Sequence, residues 1–209
     1  VDTTIPVIII VGDANATHEA ATAYLDSGSG WVDTLDGNGS LSAVGSVNVH
    51  LRGTYVLTYD QTDAAGNAAA QVTRSVTVVD TTLPVITRLG EEVIEHQVWR
   101  PYHDPGAVAT DTLDGNVTAS IVTANPVDVD QPGQYIVTYD VTDAAGNPAQ
   151  RVIRTINVYN LNPSDVLLEG GSLDENQPLD TWAGHFSSLD PDDSETVKTY
   201  QYELVDGNG

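Results

Sequence analysis

The sequence contains no cysteine and no methionine among its 209 residues. Without cysteine, a disulfide framework, a thiolate metal site and a cysteine nucleophile are all excluded. Basic residues are also scarce, since 7 lysines and arginines stand against 30 acidic residues and give a formal charge of −23. Nucleic acid and anionic membranes would repel such a chain, so we expect neither as a partner. The same charge permits the binding of cations.

Long apolar runs are missing too. No stretch reaches the roughly 18 apolar residues that a transmembrane helix requires, so no direct membrane insertion is predicted. A small extracellular domain without disulfides needs another stabiliser, and bound metal is one candidate. Because the sequence begins inside a repeated unit, we expect it to be part of a longer protein.

The chain does contain an internal repeat. The opening phrase "VDTTIPVI" returns as "VDTTLPVI" 78 positions later. The phrase "TYDQTDAAGN" returns as "TYDVTDAAGN" with an offset of 80, because the second copy has two extra residues. We therefore divide the chain into repeat 1 (residues 1–79), repeat 2 (residues 80–159) and a remainder (residues 160–209).

Strand signals dominate both repeats. Apolar and polar residues alternate in "YVLTY" and "YIVTY", which places Tyr55, Leu57 and Tyr59 on one face as candidate core residues. Turn residues recur at short intervals, and helical periodicity is absent. About seven short strands in a repeat of this length predict an immunoglobulin-like sandwich. The predicted fold class is all-β, with two tandem Ig-like antiparallel β-sandwiches and a further partial sandwich.

Each repeat carries acids in three segments that an Ig-type sandwich brings to one pole. These segments are the entering linker, the "DTLDGN" loop and the "TDAAGN" loop. Clustered carboxylates repel one another unless a cation or protons intervene, and Ca²⁺ takes about six to eight oxygen ligands. The sequence therefore predicts a calcium site at each pole, with candidate ligands Asp2, Asp33, Asp36 and Asp63 in repeat 1 and Asp80, Asp111, Asp114, Asp143 and Asn147 in repeat 2.

A second interpretation of these acids remains open. Aspartate and asparagine in "DGN" and "DAAGN" are ordinary turn residues that bond their own backbone. The carboxylates would then shape turns without holding an ion. No segment has both the glycine and the final glutamate of an EF-hand loop, so that type of calcium site is excluded.

Three phrases in combination carry a family resemblance: "DTT-x-P-V-I", "TDTLDGN" and "TYDVTDAAGN". They resemble the bacterial Ig-like repeat of many secreted and surface proteins, including an Ig-like domain of pesticidal crystal proteins. The resemblance covers roughly residues 1–159. It implies tandem spacer or accessory modules without catalysis of their own, located outside the cell or on the bacterial surface. The partners it implies are other modules of the same long chain and a cell-surface protein or glycan.

The remainder has a different character. Its phrases "DENQP", "LDPDD" and "YQYELVDG" resemble the first half of a cadherin-like repeat. That resemblance implies calcium ligation by Asp190 and Asp192 toward the preceding linker and by Glu175 toward a following junction. The linker "YNLNP" departs from the cadherin pattern and lacks two of its acids, which weakens the expected site.

The sequence thus predicts non-catalytic spacer or adhesion modules of a bacterial surface protein, with joints stiffened by calcium. The alternative is a set of accessory modules of a secreted hydrolase that contribute substrate attachment or spacing. Exposed tryptophans at Trp31, Trp99 or Trp182 would favour the alternative, because indole rings stack on sugars. Enzymatic activity is not expected, since the chain has neither a zinc-protease motif nor a nucleophile elbow.

Overall fold

The computed structural model describes residues 2–161, 165–169 and 185–189. Regular structure in these segments consists of β-strands and a single turn of 3₁₀ helix, Thr118–Ser120. The prediction of an all-β fold is therefore confirmed. None of the described residues forms a helix long and apolar enough to cross a membrane.

Repeat 1 contains six strands. They are β1 (Val7–Ile10), β2 (Asn15–Glu19), β3 (Ser29–Asp33), β4 (Gly37–Leu41), β5 (Gly53–Tyr59) and β6 (Val72–Val79). One three-stranded sheet has the order β1-β3-β4, and the other has the order β2-β6-β5. Pro6 stands directly before β1, where the missing N–H of proline leaves no ladder hydrogen bond unmade.

Repeat 2 follows the same plan with one additional strand. Its strands are β7 (Val85–Arg88), β8 (Val93–Gln97), β9 (Ala107–Asp111), β10 (Gly115–Asn116), β11 (Val122–Ala124), β12 (Gly133–Asp140) and β13 (Val152–Tyr159). The sheets have the orders β10-β9-β7 and β11-β12-β13-β8. Beyond the repeats, β14 (Asp165–Glu169) pairs antiparallel with β15 (His185–Leu189).

One strand pair in each repeat is parallel. The segments "NATHE" and "VIEHQ" are extended, and β2 runs parallel to β6 while β8 runs parallel to β13. Strands that run parallel end at the same side of a sheet, so Glu19 at the end of β2 lies opposite Val79 at the end of β6. The amide of Ala20 also donates to the carbonyl oxygen of Val79 over 2.7 Å. Glu19 is thereby placed where the chain leaves repeat 1.

The core residues come from the predicted alternating strands. Tyr59 and Tyr139 are fully buried, and Leu57 and Val137 are buried beside them on the same strands. Burial of one large apolar side chain stabilises the folded state by about 1.5–3 kcal/mol. The inward face predicted for "YVLTY" is confirmed for Leu57 and Tyr59, whereas Tyr55 on the same face is only half-buried.

A buried ion pair accompanies each of these tyrosines. Arg74 donates to Asp26 in repeat 1, and the wholly buried Arg154 donates to Asp104 in repeat 2. The hydroxyl of Tyr59 also donates to Asp26, over 2.9 Å, and burial together with that hydrogen bond raises the pKa of Tyr59 to about 12. The guanidinium groups additionally donate to backbone carbonyl oxygens, among them those of Asp13 and Glu91 at 3.0 and 3.1 Å. These contacts satisfy the buried charges, as an interior ion pair requires.

The chain forms two compact units whose boundary does not follow the repeat boundary. The first comprises residues 1–87, 108–122 and 140–151, so the acidic pole of repeat 2 groups with repeat 1. The second comprises residues 88–107, 123–139 and the residues from 152 onward. Every residue of the two candidate sites below lies in the first unit.

Candidate cation sites

Each repeat brings three carboxylates together at its predicted pole. Asp2, Asp36 and Asp63 form one cluster, and Asp80, Asp114 and Asp143 form the other. Within each cluster, one oxygen from every carboxylate lies within 4.8 Å of the others. Six of the predicted ligands therefore converge in the two groups. The remaining described candidates, Asp33, Asp111 and Asn147, surround them in the ways described next.

Asp111 shapes the hairpin that presents Asp114. Its Oδ1 accepts hydrogen bonds from the amides of Leu113 and Asp114 at 2.8 and 3.0 Å, which closes the turn between β9 and β10. Asp114 in turn accepts a hydrogen bond from the amide of Ala144 over 2.7 Å. The two loops of the site are thereby tied to each other. Asp33, Asp36 and Ala64 repeat this arrangement in repeat 1, with distances of 2.8, 2.9 and 2.7 Å.

Asn147 acts as a donor in the structure. Its side-chain nitrogen donates to Asp143 Oδ2 at 2.8 Å and to the carbonyl oxygen of Asp80 at 3.1 Å. Burial works to raise the pKa of Asp143, but the hydrogen bonds from Asn147 and from the amides of Gly146 and Ala145 outweigh it and hold the pKa below its ordinary value. Asp143 is therefore held as a carboxylate, with the linker fastened beside it.

The pKa of Asp80 is shifted in the opposite direction to that of Asp143. Burial raises its pKa above the ordinary value, and the negative charges of Asp111, Asp143 and Glu19 raise it further against a lowering hydrogen bond from Thr82. Asp80 is 7% exposed and Asp111 is 8% exposed, and the Oδ2 atom of each is buried without a hydrogen-bond partner. An unsatisfied buried polar atom costs about 1–3 kcal/mol. A cation in this cluster would relieve both the repulsion and the lost hydrogen bonds.

The matching aspartates of repeat 1 accept hydrogen bonds from a threonine. Asp2 Oδ1 accepts hydrogen bonds from the amide and the hydroxyl of Thr4, at 2.9 and 2.6 Å. The same hydroxyl lies 3.4 Å from Asp33 Oδ2, which it reaches as a longer hydrogen bond. Asp2 and Asp33 are also half-buried rather than buried. The two clusters therefore share their residue types but differ in the burial of these aspartates and in what the threonine hydroxyl binds, which is a carboxylate of the cluster in repeat 1 and Glu19 in repeat 2.

Two further residues of repeat 1 form hydrogen bonds with repeat 2 near its acidic pole, and the sequence analysis predicted neither of them. Glu19 accepts hydrogen bonds from the amide and hydroxyl of Thr81, at 2.9 and 2.8 Å, and from the amide and hydroxyl of Thr82, at 3.1 and 2.8 Å. Arg52 donates to the carbonyl oxygen of Ala144 over 2.9 Å. Neither residue is repeated, since Gln97 and Pro132 occupy the matching positions, so the repeat pattern carries no signal for them.

The tryptophans that would mark a sugar platform are half-buried where the structure describes them. Trp31 on β3 pairs with Gly39 on β4, and its indole covers the glycine so closely that an added Cβ would lie 2.6 Å from Trp31 Nε1. Trp99 is half-buried as well. The remaining candidates, Trp182 and the predicted calcium ligands Glu175, Asp190 and Asp192, lie outside the described residues.

Comparison with known proteins identifies the family of both repeats. Residues 8–78 and 86–158 match the family described as "Bacterial surface protein, Ig-like domain". Hyalin of Lytechinus variegatus is 34% identical over 166 residues, which cover 75% of this chain and 28% of hyalin. Pesticidal crystal protein Cry22Aa of Bacillus thuringiensis is 29% identical over 125 residues, which cover 57% of this chain and 17% of Cry22Aa. The chain thus spans less than a third of either relative.

Among solved structures, the chain resembles that of the M60 catalytic domain with the CBM51-1 and CBM51-2 domains of Clostridium perfringens ZmpB. The identity is 13% and the TM-score 0.43, over 80% of this chain and 33% of the other. That degree of overlap carries no inference about function. The sequence match covers more than half of the chain, and the chain therefore belongs to the family of Ig-like domains of bacterial surface proteins.

Proposed function

We propose that the repeats are non-catalytic extracellular spacer or adhesion modules of a bacterial surface protein, and that Ca²⁺ at their acidic poles stiffens the joint between them. One observation carries this proposal. Asp80 belongs to the segment that joins the repeats, and its carboxylate lies within 4.8 Å of those of Asp114 and Asp143. An ion held by these three residues would fasten the joining segment to two loops of repeat 2.

The chemistry of the donors favours calcium. Each cluster offers only carboxylate oxygens, with no histidine among its members, and hard oxygen donors suit Ca²⁺. Asp80 and Asp111 add the two buried Oδ2 atoms without a hydrogen-bond partner. When bound, the ion would supply the positive charge that lets these acids remain ionised side by side.

The family supports a location on or outside the bacterial cell, and the charge of −23 is compatible with a solvated extracellular surface. The partners we expect are other modules of the same long chain and a cell-surface protein or glycan. The accessory-module alternative gains no support from the described tryptophans, since Trp31 is packed against its own hairpin.

Thermal unfolding of the chain in EDTA and in millimolar Ca²⁺ tests the proposal. A ligand at about a hundred times its Kd stabilises the native state by about 2.7 kcal/mol, so Ca²⁺ should raise the melting temperature. Asp143→Ala should blunt that rise, while Asp140→Ala should leave it intact because Asp140 pairs with Arg151 on the surface. An unchanged melting temperature in the wild type would mean that the acids act as turn residues alone.

Stiffening needs a separate measurement. The chain has no cysteine, so spin labels can be attached selectively through Val56→Cys and Ile136→Cys, at matching positions in the two repeats that are 57% and 45% exposed. Ca²⁺ should narrow the distribution of label distances relative to EDTA. Equally broad distributions in both conditions would show that calcium stabilises the modules without stiffening their joint.

A further inference from the structure

We infer that Glu19 of repeat 1 is a positioning residue for the cation site of repeat 2, because it engages the hydroxyl of Thr82 and thereby keeps that hydroxyl away from the carboxylates that would hold the ion. This inference rests on the proposed function, and it adds a requirement to it. The site at the joint takes a hard divalent cation, and it would reach full affinity only when repeat 1 lies beside it.

The hydrogen bonds at the joint carry the argument. The hydroxyl of Thr82 donates to Glu19 Oε1 over 2.8 Å, so its only proton is directed toward repeat 1. The amide of Thr82 is shared between Glu19 Oε1 at 3.1 Å and Asp80 Oδ1 at 3.3 Å. The hydroxyl of Thr82 is therefore not available to Asp111 Oδ2, and both this atom and Asp80 Oδ2 are buried without a hydrogen-bond partner.

In repeat 1 the hydroxyl of the matching threonine binds carboxylates instead. Thr4 is the counterpart of Thr82, and its hydroxyl donates to Asp2 Oδ1 at 2.6 Å and reaches Asp33 Oδ2 at 3.4 Å. These two aspartates are the counterparts of Asp80 and Asp111. The hydroxyl of this threonine therefore donates to the aspartates of the cluster in repeat 1, whereas in repeat 2 it donates to Glu19. A hydroxyl donor on a carboxylate competes with a metal ion, so the joint site should bind the cation more tightly.

Glu19 is well suited to this task by its place in the fold. The parallel pairing of β2 with β6 puts it beside the exit of repeat 1, and four hydrogen bonds from Thr81 and Thr82 fix its carboxylate. Those hydrogen bonds hold the pKa of Glu19 below its ordinary value, so it remains an acceptor at neutral pH. This pairing of a glutamate with two threonines is not repeated, because repeat 2 has Gln97 at the matching position and is followed by Leu161 and Asn162.

The test is calcium titration of the full 209-residue chain by calorimetry, in a background where Asp2→Ala disables the repeat 1 cluster. Residues that orient metal ligands typically change affinity by about tenfold or more when mutated, so Glu19→Ala should weaken binding about tenfold. Glu19→Gln keeps a side-chain oxygen for Thr82 and should recover part of the loss. Asp60→Asn is the matched control, since it removes one exposed negative charge that pairs with Gln71.

The possible outcomes distinguish the positioning role of Glu19 from the existence of the calcium site. Equal weakening by Glu19→Ala and Glu19→Gln, or by the Asp60→Asn control, would show that Glu19 acts only through its charge and would overturn the positioning role. Wild-type affinity in Glu19→Ala would overturn it as well, while leaving the calcium site in place. No calcium binding in the starting background would reject the joint site itself. Amide hydrogen exchange at Thr81 and Thr82 provides a readout without metal, because Glu19→Ala should accelerate it.

Discussion

Asp80 and Asp111 lie in two different segments of repeat 2, and each has a buried Oδ2 atom without a hydrogen-bond partner. The charge of Asp111 is second only to burial in raising the pKa of Asp80. Two such carboxylates destabilise the fold when they are ionised and unpaired, and they favour it when a cation lies between them. The effect of a mutation here should therefore depend on whether calcium is present.

Asp80→Asn tests this dependence directly. In EDTA the substitution removes one buried charge and supplies an amide that can donate to neighbouring carboxylates, so the melting temperature should rise or stay unchanged. In millimolar Ca²⁺ the variant should melt below the wild type, because the ion has lost a charged ligand. The check is a pair of calorimetric scans for each protein, with the repeat 1 counterpart Asp2→Asn as control. A variant that melts below the wild type in both conditions would contradict the electrostatic account.

The pH dependence of the calcium effect follows from the directions of the pKa shifts. The raised pKa of Asp80 means that, without metal, stability is lost as the pH rises through that pKa and is regained as the pH falls. The lowered pKa values of Asp63 and Asp143 mean that their stabilisation persists until the pH falls below the ordinary aspartate value of about 3.9. As the pH falls from neutrality toward the ordinary aspartate value of about 3.9, protonation should therefore affect Asp80 before Asp143.

We expect the calcium-dependent rise in melting temperature to shrink steadily as the pH is lowered through this window. Over the same range the metal-free protein should hold or gain stability, and Asp80→Asn should flatten that gain. Differential scanning calorimetry at a series of pH values, with and without EDTA, measures both trends. A calcium effect that stays constant down to the ordinary aspartate pKa of about 3.9 would place the ion on carboxylates other than Asp80.

The buried ion pairs differ between the repeats in a way that predicts unequal costs. The Arg154 and Asp104 side chains are 0% and 11% exposed, whereas those of Arg74 and Asp26 are 3% and 20% exposed. Removing one partner of a buried pair costs about 3–5 kcal/mol because the other charge is left uncompensated. Arg154→Ala should therefore destabilise the chain by about that amount, and Arg74→Ala by less.

Urea unfolding, followed by probes placed in each repeat, measures the two costs. Asp104→Asn and Asp26→Asn are the complementary variants, because each leaves a buried arginine without its carboxylate partner. If Arg74→Ala proved the more damaging arginine variant, depth of burial would not be what sets the cost.

The sequence predicted much of this architecture because the relevant signals are local or repeated. Alternation identified the core face of Tyr59 and Tyr139, and both are fully buried. The recurrence of "DTLDGN" and "TDAAGN" identified loops whose acids converge at one pole. The choice between turn chemistry and ion binding was left open, and Asp111 shows why: one of its oxygens closes a turn while the other has no partner.

What the sequence could not predict depends on contacts between distant residues that occur once. Glu19 meets Thr81 across 62 positions, and its counterpart Gln97 breaks the repeat, so neither spacing nor recurrence reveals it. The parallel pairing that places Glu19 there is equally hidden, because alternation is the same in parallel and antiparallel strands. Arg74 and Arg154 recur with an offset of 80, and that recurrence was the available signal for their buried pairs.

Trp31 offers a last test, which distinguishes a structural tryptophan from a sugar-binding one. Its indole covers Gly39, where an added Cβ would lie 2.6 Å from Nε1, whereas a Cβ on Gly30 would meet only the carbonyl oxygen of Gly39 at 3.6 Å. Gly39→Ala should displace the ring, shift its fluorescence emission to longer wavelength and cost about 1–3 kcal/mol of stability, as overpacking typically does.

Gly30→Ala is the matched control and should change the spectrum little. Emission spectra corrected with Trp31→Phe isolate the signal of this ring from those of Trp99 and Trp182. If Gly39→Ala leaves emission and stability unchanged, the ring is not held by its hairpin, and an exposed aromatic surface for glycan returns as the better account of Trp31.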